Sequence, residues 1–469
     1  MTAGVSALKR RSRRLGACVG IAALLTGCGS PAAVGHPTST SAGGGATTSS
    51  TAPPPTSSTV PQTTTSSSTV PPTTLPPAGA PKAPVMLTSA ATVPAVGPSG
   101  RSLPVASIPW SQVQPGWTLA LYDSSTWTEG GATSARRAGM EALFLVGPAG
   151  ARYVVDHWAG DLSVTDQLVD WSASLRQALV VRMANMSDKL AMEISLTTGA
   201  VVGSFPLPAA EEVAGYAPNG VGILVREFPD PTSTSSTAPG ILEILGPTGA
   251  LLRTVLKTEA LDSVLPGPAG SVVVGDHAGV QIVSAGGRIT DLDPPSESCF
   301  PLHFLTATEV LASCSSGSSH WPLRLWKLPS SGGAAQPLTP VTAKVVDALG
   351  TPWENTTAQD LDAWQLPSGL YLQVAGACAT VFIGRQEAGP YVQYVGIPGV
   401  AADASMGIVG ALGNELEVDV ISNGCNPPPT LLWFDPTTLS VHRLLVAAPD
   451  SIGFSEIPYP TLESNPSIG

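Results

Sequence analysis

One pattern recurs along the chain and limits its fold more than any other feature. A short apolar run rich in β-branched or aromatic residues is followed by a turn rich in Gly, Pro, Ser or Thr. The seven runs are residues 143–146, 192–196, 242–245, 280–283, 323–326, 381–383 and 431–434. Between the ends of the first and last turns, residues 150 and 439, the copies recur about every 48 residues, near the period of four-stranded propeller blades.

A second strand precedes each run, directly after a turn. These upstream strands are residues 117–122, 178–181, 221–225, 271–274, 310–312, 370–372 and 416–420. Each unit therefore has the order strand A, tight turn, strand B, loop, strand C, turn, strand D, with no room for the helices of a parallel α/β sheet. Because one four-stranded sheet cannot bury both faces alone, radial packing of the sheets is favoured. We predict an all-β chain, a β-propeller of seven four-stranded blades.

Alternatives to this architecture stay open at the level of sequence. Two stacked β-sandwiches would use similar strands, and six or eight blades would also fit the spacing. A ring must also be closed, and either residues 84–96 or residues 454–459 complete a terminal blade.

Two of the turns carry a family resemblance. The segment Asp170-Trp171-Ser172-Ala173-Ser174 and the turn at residues 217–220 resemble the WSPDG-type repeat of TolB-like and WD40-like propellers. The resemblance covers residues 104–446, although no unit carries the whole motif. It implies propeller architecture and, through TolB, a role in assembling an envelope complex.

The N-terminus has the three zones of an export signal. Residues 9–14 are basic apart from Ser12, and residues 15–25 form an apolar stretch that is too short to cross a hydrocarbon core of about 30 Å. The next residues complete Leu25-Thr26-Gly27-Cys28, which resembles the lipobox of bacterial lipoproteins. The resemblance implies cleavage before Cys28 and acylation of Cys28, which would anchor the chain firmly.

Residues 1–27 are thus predicted to be a lipoprotein signal peptide, with either general secretion or twin-arginine export as the route. The alternative is an ordinary secretory signal in which the cysteine occurs by chance.

Residues 28–84 are mostly Ser, Thr, Pro, Gly and Ala, without apolar periodicity. Such a segment buries too little apolar surface to offset its conformational entropy, so we predict a disordered tether with a root-mean-square span of roughly 40 Å. The tether is either an O-glycosylated stalk or an unmodified spacer. Residues 85–469 are predicted to form the propeller domain.

The charge of the chain excludes one class of partner. The net charge is −12, and cleavage before Cys28 would remove five basic residues and no acidic ones. A chain this acidic, without a basic cluster, lacks the electrostatic features of nucleic-acid binding. Membrane attachment is therefore expected to come from the lipid rather than from charge.

Four cysteines remain in the predicted domain, and export makes disulfides plausible among them. Cys299 begins strand A of the fifth unit and Cys314 ends its strand B, so the two lie opposite each other in a hairpin. Cys378 and Cys425 both follow B strands of neighbouring units. We predict the pairs Cys299–Cys314 and Cys378–Cys425. A zinc site is the competing interpretation, but no C-x-x-C pair or neighbouring histidine supports it.

No motif for hydrolysis, phosphate binding, dinucleotide binding or metalloprotease chemistry occurs in the sequence. We therefore predict no catalytic, cofactor-binding or metal-binding residues. Three groups in predicted loops combine acidic side chains with imidazole or aromatic ones, and they are either ligand contacts or ordinary loop residues. They are Asp156, His157, Trp158 and Asp161; Asp276 and His277; and Asp360, Asp362 and Trp364.

The predicted function is a lipid-anchored binding scaffold on the extracytoplasmic face of the cell membrane, with an envelope protein or glycan as partner. One alternative is an exported lyase or hydrolase with its site at the channel mouth. The other is an assembly partner of an envelope complex. The sequence leaves the oligomeric state open.

Overall fold

The computed structural model places most of the chain downstream of residue 86. The described residues are 87, 90, 92–98, 102–128, 135–161, 163–184, 188–227, 240–258, 261–276, 279–295, 299–315, 323–340, 344–346, 359–375, 381–401, 404–421, 428–448 and 451–459. Apart from three short 3-10 helices, their regular structure is β-strand. Within these ranges no helix has the length and apolar character needed to span a membrane.

In the described part of the chain, 31 strands form seven sheets. Blade 1 contains β1 (Leu103–Pro104), β2 (Thr118–Thr128), β3 (Ala135–Arg137), β4 (Met140–Val146), β5 (Arg152–Ala159) and the last strand, β31 (Ser451–Pro458). Blade 2 contains β6 (Thr165–Ser172), β7 (Gln177–Met183), β8 (Lys189–Ser195) and β9 (Val201–Leu207). Blade 3 contains β10 (Glu211–Tyr216), β11 (Ile223–Glu227), β12 (Gly240–Leu245) and β13 (Leu251–Thr258). Blade 4 contains β14 (Leu261–Pro266), β15 (Val272–Asp276), β16 (Gly279–Val283) and β17 (Ile289–Asp291).

The remaining blades follow the same order. Blade 5 contains β18 (Cys299–Thr306), β19 (Glu309–Ser315), β20 (Leu323–Pro329) and β21 (Gln336–Pro337). Blade 6 contains β22 (Lys344–Val346), β23 (Gln359–Leu366), β24 (Gly369–Ala375), β25 (Val381–Gln386) and β26 (Tyr391–Tyr394). Blade 7 contains β27 (Ser405–Leu412), β28 (Glu415–Ile421), β29 (Thr430–Asp435) and β30 (Ser440–Val446). The prediction of an all-β propeller with seven four-stranded blades is confirmed.

The ring is closed by the C-terminal strand. β31 pairs antiparallel with β2, from Thr118 opposite Pro458 to Thr126 opposite Ser451, and so supplies strand A of blade 1. The sequence left two candidates for completing the terminal blade, residues 84–96 and residues 454–459. The second candidate is correct. The described residues of the N-terminal candidate, residues 84–96, form no strand, and the residue that follows, Gly97, makes an isolated bridge to Val446.

The core lies between blades rather than within them. Six clusters of buried apolar side chains cover the seven boundaries between neighbouring blades. Along β2, Leu119 and Leu121 face blade 2, whereas Ala120 and Tyr122 face blade 7. Because both faces of each sheet are buried, the inner strands show continuous apolar runs instead of alternation.

A strap formed by the described residues between 87 and 104 wraps blade 1. The amide of Ala90 donates to the carbonyl of His157, and Gly97 pairs with Val446 of blade 7. The buried Arg152 donates to the carbonyls of Val96 (3.2 Å) and Pro98 (2.8 Å). The strap ends as β1, which pairs in parallel with β5. The strap therefore borders the outer edge of blade 1 through β5, and β31 borders its inner edge through β2.

The two faces of the ring differ in their connections. The A–B and C–D turns lie on one face, which we call the A–B face, while the B–C and D–A connections leave from the other. First strands of neighbouring blades contact one another, as β31 does with β6 and with β27, so strand A is the innermost strand.

The Cys299–Cys314 disulfide is present. Its two residues face each other across β18 and β19 and are buried in the cluster between blades 4 and 5. Cys28, Cys378 and Cys425 lie outside the described residues. Acylation of Cys28 and the Cys378–Cys425 pair stay predictions.

We expect a chain ended after residue 450 to lose its cooperative unfolding transition. Its missing strand buries Phe454 and Ile457, and burial of two such side chains contributes about 3–6 kcal/mol, a large part of ordinary domain stability. Thermal unfolding followed by circular dichroism would test this, with a chain ended after residue 459 as the control. A cooperative transition in the shorter chain would contradict closure by β31.

We also expect the double substitution Cys299→Ala, Cys314→Ala to lower the unfolding free energy by about 3 kcal/mol, because the disulfide closes a 15-residue separation. Urea unfolding would measure the loss. The matched variant Cys378→Ala, Cys425→Ala reports on the second predicted pair. Free thiols at Cys299 and Cys314 in the native protein, detected by a thiol-specific reagent, would contradict the first.

Candidate functional site

The first residue group singled out in the sequence does not form a loop. Asp156, His157 and Trp158 lie on β5, so their prediction as loop residues is wrong. Trp158 is fully buried, and its Nε1 donates to Oδ2 of Asp166 at 2.9 Å. Asp161 accepts hydrogen bonds from the amide and hydroxyl of Ser163 and so stabilises the turn before β6. Trp158 thus connects blade 1 to blade 2, while Asp161 acts locally in the turn.

The partner of Trp158 belongs to a buried charged group at the same boundary. Arg182 lies 3.3 Å from Oδ2 of Asp166, and Glu141 also hydrogen-bonds to this carboxyl group. Burial raises the pKa of Asp166, although the charge of Arg182 and the Trp158 hydrogen bond oppose that shift. The hydrogen bond from Trp158 of blade 1 to Asp166 of blade 2 therefore joins the two blades.

The second group, Asp276 and His277, lies only partly within the described residues. Asp276 is the last residue of β15, as its predicted place at the end of a B strand requires. The side chain of Asp276 and the whole of His277 lie outside the described residues.

The third group also lies on a strand, which corrects its prediction as a loop. Asp362 and Trp364 are on β23, the inner strand of blade 6, and the side chain of Asp360 is outside the described residues. Both contact His303 of blade 5. Nε2 of His303 lies 2.9 Å from Oδ1 of Asp362, and the imidazole stacks on the Trp364 ring with centroids 4.4 Å apart. The sequence showed no local partner for His303, because Asp362 is 59 residues away.

Both nitrogens of His303 face oxygen acceptors. Nδ1 lies 3.1 Å from the carbonyl of Phe304, and Nε2 lies near the carbonyl of Ala363 as well as Asp362. Burial by itself lowers the pKa of His303, but the charge of Asp362 and these hydrogen bonds outweigh it and raise the pKa. An imidazolium donates from both nitrogens and satisfies this arrangement. The side chain therefore links blades 5 and 6, and both of its nitrogens already face protein oxygens.

His303 and Asp362 share a structural position with Asp170. The A–B pairing of each blade contains a register shift, and in blades 2, 5 and 6 the shift ends at one of these residues. Asp170 accepts a hydrogen bond from the Tyr216 amide of blade 3 at 2.8 Å. A Cβ at Gly215, the corresponding residue of blade 3, would lie 2.8 Å from that carboxylate oxygen. In blades 2, 5 and 6, a polar side chain at the shift thus contacts a neighbouring blade.

The motif that carried the family resemblance has a related structural role. Trp171 is buried, and its Nε1 donates to the carbonyls of Ile457 (2.9 Å) and Pro458 (3.1 Å) on the closing strand. Asp170 and Trp171 therefore join blade 2 to blades 3 and 1.

A cleft on the A–B face is the best candidate for a ligand site. It lies where blades 1 and 2 meet, next to the ends of their inner strands β31 and β6. Its lining residues are Trp110, Val113, Ala173, Ser174, Arg176 and Tyr459.

Two aromatic side chains of the cleft come from segments flanking blade 1. Trp110 begins a 3-10 helix, Trp110–Gln112, directly after Pro109. Tyr459 follows β31, and its amide donates to the carbonyl of Trp117 at 2.7 Å. The Tyr459 ring contacts buried Trp171 edge-on, with centroids 5.6 Å apart. These contacts hold the Tyr459 wall of the cleft in place.

Arg176 supplies the positive charge of the cleft. Its guanidinium carbon lies 5.0 Å from the centre of the Trp110 ring, a cation–π contact. Its backbone is left-handed, with φ +54°, a conformation that costs a non-glycine residue about 1–2 kcal/mol. The A–B turns of blades 3 and 7 use Gly220 and Gly413 at their left-handed positions. Sequence reasoning missed Arg176, although comparison of the turns shows that blade 2 lacks a glycine.

The described residues contain no group of three or more His, Cys, Asp or Glu side chains able to hold a metal ion. The cleft instead combines one guanidinium, two aromatic rings and a hydroxyl, a set suited to binding rather than bond making.

The comparisons with known proteins concern the fold alone. No family model matches the sequence, and no curated protein matches it. Among solved structures the chain is similar to a prolyl endopeptidase (TM-score 0.48, 14% identity, 71% of this chain and 51% of that chain). It is similar to the β-propeller domain of the trilobed protease of Pyrococcus furiosus (TM-score 0.42, 9% identity, 70% of this chain and 92% of that chain). It is also similar to a puromycin-hydrolysing peptidase of Mycobacterium tuberculosis (TM-score 0.40, 15% identity, 79% of this chain and 57% of that chain). The chain spans about half the length of the prolyl endopeptidase, and similarity at this level assigns it no activity.

We expect His303→Gln to lower the unfolding free energy by about 1.5–3 kcal/mol at pH 6, the usual range for a hydrogen bond to a charged group. Because the folded-state pKa is raised, the contribution of His303 is fully present below the unfolded-state pKa and is lost as pH rises through the folded-state value. The difference between wild type and variant should therefore shrink towards pH 9. Urea unfolding across this range would measure it, with the exposed His442→Gln as control. A difference independent of pH would contradict a charged His303.

Proposed function

We propose that this chain is a lipoprotein of the cell envelope whose propeller is a binding scaffold. Cys28 carries the lipid that anchors it to the extracytoplasmic face of the membrane. Residues 28–84 act as a tether that lets the ring reach its partner. The partner is an envelope protein or glycan.

The closure of the ring is the observation that carries this proposal. The strap and β31 both belong to blade 1, so the segment that continues the tether and the closing strand stabilise the same sheet. A closed ring holds its loops and clefts on a rigid frame, which lowers the entropy lost on binding.

The exported enzyme that the sequence left as an alternative would need a general base. A general base needs a nitrogen or oxygen free to accept a proton from the substrate. His303 is the described histidine paired with a carboxylate, and both of its nitrogens face protein oxygens. The role of assembly partner differs from a binding scaffold only in the identity of the partner, so one experiment addresses both.

We expect Cys28→Ala to release the protein from the membrane fraction and to abolish capture of its partner by cross-linking in intact cells. Without the thiol no lipid can be attached, so the tether would have no fixed end. The matched control is Cys18→Ala, which removes a cysteine from the predicted signal peptide and should leave both properties unchanged. Fractionation, mass spectrometry of the N-terminal peptide and cross-linking pull-down provide the measurements.

Membrane retention of the Cys28→Ala variant together with an unmodified Cys28 in the wild type would refute the anchor. The absence of any reproducible envelope partner in the wild type would refute the binding role.

A further inference from the structure

We infer that the cleft on the A–B face binds a carboxylated sugar chain, with Arg176 receiving the carboxylate and the aromatic side chains contacting the sugar rings. This inference rests on the proposed function, since it names the ligand class and the site of the binding scaffold.

The first step is the conformation of Arg176. A glycine would adopt φ +54° without strain, yet this turn carries an arginine. Four described non-glycine residues have positive φ, namely Arg176, Ala269, Asp293 and Leu439, and of these Arg176 lines the cleft. Strained residues cluster where a side chain is needed for binding, so the strain points to the guanidinium group.

The second step is the presentation of that guanidinium. The Trp110 ring holds it by a cation–π contact, and no described residue accepts a hydrogen bond from it. Its planar donors match a carboxylate in a two-point hydrogen bond. The chain as a whole is acidic, with 34 Asp and Glu against 22 Lys and Arg. An anion would be drawn to a local cation such as Arg176 rather than to the protein as a whole.

The third step distinguishes a sugar from a peptide. The cleft is lined by a turn, a 3-10 helix and the residue after β31, so it offers no strand edge with which a peptide main chain could pair. Trp110 and Tyr459 offer aromatic surface for the C–H face of a sugar ring. Because Tyr459 is already held by Trp171 and Trp117, this side of the site is formed before binding.

The experiment compares two probes that differ only in charge. Isothermal titration of the purified full chain would use tetragalacturonate and its full methyl ester. We expect the acid to bind at least 10-fold more tightly than the ester, and this preference should weaken between 50 and 200 mM salt, as screening predicts.

The decisive variant is Arg176→Gly. It removes the guanidinium and relieves the backbone strain, so thermal stability should be equal or higher while tetragalacturonate affinity falls at least 10-fold. Arg176→Lys should lose part of the affinity, because an ammonium group cannot make the planar two-point contact. The matched control is Leu439→Gly, which relieves the same strain (φ +58°) at an exposed turn of blade 7 and should leave affinity unchanged.

Equal binding of acid and ester would overturn the inference, as would unchanged affinity in Arg176→Gly. Arg176-dependent binding of a free-acid tetrapeptide, with no binding of the sugar, would assign the site to peptides and also overturn it. These failures are separable from failure of the proposed function. A partner that depends on Cys28 would still be captured in cells if only the ligand class were wrong.

Discussion

The pairing of β31 with β2 is the interaction on which the rest of the structure depends. It joins residues 118–126 to residues 451–458 and turns seven sheets into a ring. Without it, the inner edge of β2 would lose its partner, and the apolar clusters on both sides of blade 1 would lose Phe454 and Ile457. Contacts of such long sequence separation are entropically costly to form, so their stability must come from this extensive burial. The strap and Trp171 add hydrogen bonds around the same blade.

Polar contacts between inner strands give the ring a second level of order. Asp170 binds the backbone of blade 3, and His303 binds Asp362 of blade 6. Each lies at the register shift of its strand, where a bulge turns the side chain towards the next blade. Three of the residues that stood out in the sequence, Trp158, Asp362 and Trp364, are thus used to align blades. Buried polar groups need partners, and these residues partner one another.

The candidate ligand site has a different origin. It lies at the seam where the start and the end of the ring meet, and its side chains come from a turn of blade 2, a segment before β2 and the residue after β31. The contacts that close the ring also hold one wall of the cleft, through Trp171 and Tyr459. Binding at this seam would add contacts between blades 1 and 2. A ligand that binds only the closed ring would stabilise that closed form in proportion to its concentration.

The sequence by itself predicted a seven-bladed propeller, and the structure confirmed it. Seven repeats of apolar strand and turn predicted seven blades and the positions of their B and C strands, because burial of both sheet faces leaves a strong local signal. The cysteine spacing likewise predicted the Cys299–Cys314 disulfide, since both residues belong to one hairpin. Only the tertiary structure decided which terminus closes the ring, that His303 meets Asp362, and that Arg176 joins Trp110 and Tyr459 in one cleft. These contacts link distant parts of the chain, and their geometry depends on how neighbouring blades pack, which no local pattern of residues encodes.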